Sequence, residues 1–351
     1  MAHNIHMANC EKKFVVRDIK VIELPRGSHK AIGRALGEGL REEISRSLNI
    51  YFDANKNEKG KTAEFQSLLR IAKKEFPAFV EEAEGIAEGS NQPLELILRF
   101  SFEEELVPGE HCTSVAIKKK GKILYGHNEN WDLSLDLYVA KVKPDGKPAF
   151  LSVGYAGQFP IMGLNEEGVA FSGNSVETTI CYTGLPKTYL LRSFLETRNI
   201  KDAISRVSNA KTGRSIGNIS IIASAKESRM VQLEWSPERV DSLESDSFLT
   251  ATNYFKSGKM QEYQHWDKAD VKFLLKRLGR LDELAKSVNN LSLDSMKKIL
   301  RDHFNKPESI CKHEKGDGTN TIGSLIMEPA KGKLHFAYGK PCETEYTEYK
   351  L

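Results

Sequence analysis

Glu110-His111-Cys112-Thr113-Ser114-Val115-Ala116-Ile117 is the stretch on which the fold turns. A cysteine and two hydroxyl residues open a β-branched, apolar run that predicts a buried strand. Pro108-Gly109 breaks the chain just before it, so the cysteine follows a loop rather than a helix. Upstream the texture is helical and charged; downstream it is short apolar runs between glycine turns. A lone cysteine at such a seam is ordinarily a small buried apolar side chain, so its chemistry depends on what accompanies it.

Upstream, Phe14–Leu24 carries Val15, Val16, Ile19, Val21 and Ile22 and predicts a strand pair or edge, with Pro25-Arg26-Gly27 as a turn. Ser28 is placed to cap a helix with Ile32, Leu36, Leu40 and Ile44 at helical spacing. Gly33, Gly37 and Gly39 lie inside it. Each costs a helix up to about 1 kcal/mol, which implies close backbone packing on a neighbour. Residues 61–105 predict further helices: one striped by Phe65, Leu68 and Ala72, one begun by Pro77 and ended at Gly89-Ser90-Asn91, and one opened by Pro93. Glu103-Glu104-Glu105 reads as a solvated face.

Downstream, Thr113–Ile117, Ile123–Tyr125, Leu137–Val142 and Ala149–Val153 predict strands. Asn165-Glu166-Glu167-Gly168 makes a hairpin loop. Helix returns over 187–207 and 264–304. Asn218–Ala223 with Met230–Trp235, Phe248–Phe255, and Thr321–Glu328 with Leu334–Tyr338 complete the strands. The pattern is α+β, in layers with mostly antiparallel sheets.

Composition excludes several classes. The 351 residues are 40% hydrophobic and 28% charged with a net charge of +3, a globular balance. The longest basic run, Lys118–Lys120, ends at Gly121 as a hairpin turn would, so no nucleic-acid surface is expected. No window of about 18 apolar residues predicts a membrane span. Residues 1–7 read as a cloning remnant without a signal-peptide core. Five scattered cysteines suggest no disulfide framework and favour a reducing cytoplasm. Cys311 and His313 stand two apart without a second ligand pair nearby, so neither metal nor cofactor is expected.

Three polar segments accompany Cys112: Gly126-His127-Asn128-Glu129-Asn130-Trp131-Asp132, Thr250-Ala251-Thr252-Asn253-Tyr254, and Ser309-Ile310-Cys311-Lys312-His313. Singly, each reads as a turn, a strand end or a loop with a buried cysteine. Together, with Gly85-Ile86-Ala87-Glu88-Gly89 and Gly163–Gly168, they resemble the acyl-coenzyme A:isopenicillin N (6-aminopenicillanic acid) acyltransferase-like group, peptidase family C45 of the N-terminal nucleophile (Ntn) hydrolases. The resemblance runs over nearly the whole chain.

It implies a four-layer αββα sandwich and a precursor that cuts itself between His111 and Cys112. Residues 8–111 would be a largely helical pro-segment packed on a catalytic core of 112–351, and the two pieces would stay together. Cys112 would be the nucleophile of linear amide hydrolysis or acyl transfer through a thioacyl intermediate. Its freed α-amine, with a reference pKa of about 7.7–8.0, would serve as base; His127 and His313 are alternatives of lower rank. Asp132 would hold the amine and Asn253 would donate to the oxyanion. Asn130, Trp131 and Lys312 are candidate substrate-binding residues, Lys312 where some relatives carry arginine. The partner is a small amide or acyl substrate, with homo-oligomerisation left open. The alternative is a non-catalytic or unprocessed Ntn-fold protein that binds small acyl or amino-acid ligands.

Overall fold

The computed structural model describes residues 14–16, 18–107, 112–131, 133–180, 183–265, 268–313 and 319–351, without the side chains of 59 and 268–270. The predicted Asp132 and the His111 side of the cleavage site lie outside the described residues.

Strand β1 (Lys20–Gly27) leads into α1 (His29–Gly39), capped as expected by the Ser28 hydroxyl, which accepts from the Ala31 N–H. The Pro25–Gly27 segment is the end of β1 rather than a turn; the strand shifts register between Glu23 and Arg26 and continues. The chain breaks at Leu40 and resumes in α2 (Arg41–Ala54), α3 (Thr62–Glu75) and α4 (Pro77–Ser90), the last closed by Asn91 in the left-handed conformation. Short helices α5 (Leu94–Phe100) and α6 (Glu103–Leu106) follow.

The glycines explain how α1 and α4 meet. A Cβ on Gly33 would lie 1.9 Å from the Glu82 carbonyl oxygen, and one on Gly85 would lie 2.2 Å from that of Lys30. Gly37 and Gly89 are equally tight, at 2.4 Å from the Ile86 oxygen and 2.1 Å from the Arg34 oxygen. Two G-x-x-x-G faces therefore bring the backbones into contact, a packing no larger residue permits.

Beyond Cys112 come β2 (Thr113–Lys119) and β3 (Lys122–Trp131), joined by Lys120-Gly121 with φ of 50° and 76°. Positive φ at both positions is the geometry a two-residue hairpin needs. The strands β4 (Leu137–Pro144), β5 (Phe150–Tyr155), β6 (Met162–Asn165), β7 (Val169–Phe171) and β8 (Asn174–Val176) precede helices α7 (Lys187–Phe194) and α8 (Ile200–Ser208). Then come β9 (Gly217–Ser224), β10 (Arg229–Trp235), β11 (Val240–Glu244), β12 (Phe248–Ala251), α9 (Lys268–Ser287), α10 (Leu293–Leu300), β13 (Asn320–Glu328), β14 (Lys333–Tyr338) and β15 (Thr347–Lys350).

Two sheets result. The larger runs β1-β4-β5-β6-β7-β9-β10-β11 with β8 also on β9; the smaller runs β12-β2-β3-β13-β14-β15. All these ladders are antiparallel except β1 with β4. The sheets face each other, with β12 and β2 against β9. Helices α1 and α8 cover the outer face of the large sheet, and α9 and α10 that of the small one. This is the four-layer αββα order. Side-chain alternation along β2 serves both layers: Val115 and Ile117 join Leu281, Met296 and Leu300 under the α9–α10 layer, while Ser114 meets Ser172 and Asn174 between the sheets.

Glu103-Glu104-Glu105 is not a solvated face. Glu103 and Glu104 are 1% and 4% exposed. Glu104 pairs with Lys187 and Ser175, Glu103 accepts from Gln158, and Glu105 accepts from Ser215 at 2.6 Å. Burial and the neighbouring Glu104 push the Glu103 carboxyl well above its ordinary range. A run of three acids reads as solvated only while its partners, far along the chain, are unknown.

Candidate active site

The polar segment 126–131 was expected directly after a strand, yet β3 runs through it to Trp131. Pairing with β2 on one side and β13 on the other fixes every second residue to one face. Tyr125, His127, Glu129 and Trp131 point between the sheets; Asn128 and Asn130 point toward the α10 side. Asn128 confirms that direction by donating to the Leu300 and Ile310 carbonyls, each at 2.9 Å.

Cys112 precedes β2 and is fully buried. Its thiol donates to Glu129 Oε1 at 3.1 Å. The same oxygen accepts from the Tyr155 hydroxyl at 2.8 Å, and Glu129 Oε2 lies 2.8 Å from His127 Nε2. His127 Nδ1 is in turn 2.8 Å from both the Ser114 and the Ser172 hydroxyls. Burial pushes the Glu129 carboxyl up, but hydrogen bonds from His127, Cys112 and Tyr155 outweigh it and hold it below the usual carboxylate range. The sulfur is therefore enclosed by a polar network rather than by hydrocarbon.

Asn253 follows the other neighbour of β2, strand β12. The β12–β2 ladder pairs Phe248 with Ile117 and ends with Ala251 opposite Ser114. Asn253 follows the last paired residue of that ladder by two positions, as Cys112 precedes Ser114 by two. The strand ends at Ala251, four residues short of the predicted end at Phe255. The Asn253 amide is fixed at both ends: Nδ2 donates to the Ser175 carbonyl at 2.8 Å, and Oδ1 accepts from Arg277 Nη2 at 2.7 Å. An amide nitrogen carries two hydrogens, and the Ser175 bond uses one.

The three candidate binding residues separate. Trp131 lies on the Cys112 face, edge-on to Tyr155 with ring centroids 4.8 Å apart. Asn130 lies on the opposite face, where its Oδ1 accepts from Thr321 at 2.6 Å; the same Thr321 hydroxyl accepts from the Lys312 N–H at 2.8 Å. The Lys312 ammonium is fully buried and pairs with Glu308 at 3.0 Å. The cation beside Asn253 is Arg277, carried by α9.

A sequence profile of the acyl-coenzyme A:6-aminopenicillanic acid acyl-transferase family matches residues 117–343. The chain belongs to that family. The matched stretch contains Asp132, Asn253 and Lys312 and begins five residues after Cys112. Over 342 residues, 92% of this chain and 93% of the relative, the chain is 24% identical to the acyl-coenzyme A:6-aminopenicillanic-acid-acyltransferase 40 kDa form of Emericella nidulans. It is 26% identical over 251 residues to a beta-alanyl-dopamine/carcinine hydrolase of Drosophila melanogaster, covering 61% of this chain and 65% of that one. Among solved structures, a C2A mutant of conjugated bile acid hydrolase from Clostridium perfringens aligns with a TM-score of 0.46 at 14% identity, covering 68% of this chain and 97% of that one. Penicillin V acylase from Agrobacterium tumefaciens aligns at 0.47 and 12%, covering 65% and 82%. Family membership supports an acyl-transferring or amide-hydrolysing activity.

Glu129 and Arg277 are members of this constellation that sequence reasoning did not name as site residues, and Tyr155 is legible there only as an aromatic near the site. Glu129 was legible in principle: within a strand, 127 and 129 share a face with each other by the two-residue period. Nothing local in α9 marks Arg277, which reaches Asn253 only through the layer packing.

Proposed function

We propose that this protein is a cysteine Ntn hydrolase that frees its own nucleophile by cleaving between His111 and Cys112, then hydrolyses or transfers acyl groups at linear amide C–N bonds. One observation carries the reading: the Cys112 thiol, at the head of a central strand, is hydrogen-bonded to a buried carboxylate, and a clamped asparagine amide follows the strand paired beside it.

The chemistry has two stages, and they need different bases. Before cleavage Cys112 has no free amine. Its thiol proton passes to Glu129, which His127 supports from the other oxygen. The sulfur attacks the His111 carbonyl, the proton goes to the departing Cys112 nitrogen, and the C–N bond breaks to leave a thioester. Water then releases the His111 carboxylate and regenerates the thiol. In the mature form the new α-amine, held by Asp132, takes over as base, since its reference pKa of about 7.7–8.0 is much closer to that of a thiol, about 8.5. Asn253, clamped by Arg277, donates to the oxyanion in both stages. An external amide supplies its acyl group to the thiol and loses its amine; water or a second amine then takes the acyl group. Trp131 and Tyr155 line the apolar side of this space. Residues 8–111 and 112–351 are the two chains of the product, and the free thiols suit a reducing cytoplasm.

The test is intact-mass analysis of the wild type and Cys112→Ala, with a panel of linear amides. Fragments ending at His111 and beginning at Cys112, together with amide turnover, are expected for the wild type, and one intact, inactive chain for the variant. Processing that continues in Cys112→Ala sinks the assignment, and a folded, uncut and inert wild type favours the ligand-binding alternative.

A further inference from the structure

Behind the small sheet, on the side away from Cys112, four side chains from three separate segments converge. His303 follows α10, Cys311 and His313 lie on the segment that returns toward β13, and Cys342 follows β14. Their donor atoms all lie within 4.8 Å of one another. The sequence offers only Cys311-x-His313 as a local pair, which is why no metal was expected there; the other two ligands arrive through the fold.

We propose that His303, Cys311, His313 and Cys342 form a structural Zn²⁺ site. The four separations, 3.1–3.8 Å, are close to those of a coordination shell. Zinc bonds of about 2.3 Å to sulfur and 2.0–2.1 Å to nitrogen, arranged tetrahedrally, have edges of about 3.3–3.8 Å. The two sulfurs are 3.6 Å apart, the two Nε2 atoms 3.1 Å, Cys342 Sγ to His313 Nε2 3.2 Å, and Cys311 Sγ to His313 Nε2 3.8 Å. Both histidines present the same nitrogen inward. The outer nitrogen of His313, Nδ1, faces the Glu343 carboxylate at 3.6 Å, the outer-shell partner that metal-bound histidines commonly have. Cys311 and Cys342 are almost fully buried. Binding releases the two thiol protons, and two thiolates with two neutral imidazoles then cancel the ion's charge, so a buried site is electrostatically balanced.

All four positions are filled by protein, which makes the site structural rather than catalytic. What it ties together is specific. The Cys311 N–H already donates to the Asp302 carbonyl at 3.0 Å, and Arg301 donates to the Pro341 carbonyl at 2.7 Å. Ile310, next to Cys311, accepts from Asn128 of β3, the residue between His127 and Glu129. The metal therefore staples the chain end and the 302–313 segment against the back of the strand that carries the active-site carboxylate. The inference is independent of whether Cys112 is the nucleophile.

The experiment uses the full chain, purified under reducing conditions, stripped with a chelator and titrated with Zn²⁺ against a competing chromophoric chelator. One zinc per chain is expected, with a rise in melting temperature on rebinding. Co²⁺ in its place is expected to give the intense visible bands of a tetrahedral thiolate site, a readout on the wild type that does not depend on any variant folding. Cys342→Ser and His303→Ala should lose the equivalent, while Cys112→Ala keeps it. Absence of a competed equivalent overturns the proposal. So does its loss in Cys112→Ala alone, which would move the ion to the Cys112, His127 and Glu129 donors, and so does a Cys311–Cys342 disulfide that persists through reduction.

Discussion

Glu129→Gln separates the two stages of the proposed chemistry. The substitution preserves shape and one oxygen acceptor, so Tyr155 and Cys112 can keep their bonds if the amide oxygen takes the place of Oε1. What disappears is the basicity. With reference values near 8.5 for a thiol and 4.3 for a glutamate, moving the proton to Glu129 is uphill by about 4 pKa units, about 6 kcal/mol. Hydrogen bonds that hold the carboxyl below its usual range make the step steeper still. The proposed self-cleavage is therefore expected to be slow even with the base in place, and without it a loss of about 10²–10⁴ in rate is expected, the ordinary contribution of a positioned base. The assay is a time course of intact mass on freshly made precursor, with denaturation in urea to verify folding. Disturbing the buried hydrogen bond to His127 can cost about 1–3 kcal/mol, so folding must be measured and not assumed. The pH profile distinguishes a base from a packing residue. In the wild type the processing rate should fall at acid pH as Glu129 becomes protonated, below the normal glutamate range, and the variant should lack that limb. Wild-type processing by a folded Glu129→Gln chain would refute the reasoning, and so would an unchanged acid limb.

Asn253→Ala should lower amide turnover by about 10²–10³ with a smaller effect on KM, and Arg277→Lys, which loses the clamp on the Asn253 oxygen, should reduce kcat by about 10-fold; steady-state kinetics check both. Gly33→Ala or Gly85→Ala puts a methyl into a carbonyl oxygen across the α1–α4 contact, and thermal unfolding should register a loss of about 1–3 kcal/mol or more. Glu82 is fully buried between Arg192 and His29; burial raises its carboxyl, but the Arg192 charge and the His29 hydrogen bond more than reverse this. A depressed folded pKa gives stability that is present above the unfolded value of about 4.3 and is lost as pH falls through the folded one. Urea midpoints should show that decline in the wild type, while Glu82→Gln should be weaker by about 3–5 kcal/mol at neutral pH, because Arg192 is left buried with less charge against it.

Local rules carried the reading where the determining contacts are close in sequence. The Ser28 cap, the Pro77 start, the Asn91 end and the Lys120-Gly121 hairpin each depend on a few neighbouring residues, and each stands as the sequence implied. The glycines in α1 implied close packing, and the partner face in α4 was already visible as Gly85 and Gly89. Failure came where a segment's character depends on distant partners. Glu103–Glu105 reads as solvated until Lys187, Gln158 and Ser215 are brought to it. The polar run 126–131 reads as a loop until β13 pairs with it. Lys312 reads as the late cation until Glu308 claims it and Arg277 takes the place beside Asn253.

The same dependence on packing accounts for the division of labour around β3. Its two faces alternate, and a single strand thus addresses two unrelated tasks. Tyr125, His127 and Glu129 look inward, where the opposing sheet excludes water and each hydrogen bond to the carboxylate is correspondingly strong. Asn128 and Asn130 look outward and fasten the strand to the end of α10, the 302–313 segment and β13 through Leu300, Ile310 and Thr321. A thiol 3.1 Å from its acceptor gains nothing from that distance if the strand beneath the acceptor can slide. Anchoring the back of β3 by hydrogen bonds, and by a metal cross-link if zinc is bound, is what keeps the carboxylate in register with a sulfur that sits just ahead of the neighbouring strand. Substitution of Asn128 by Leu, which keeps the volume and removes the anchors, should accordingly slow processing without touching any reacting atom, and should do so with the acid limb of the pH profile intact.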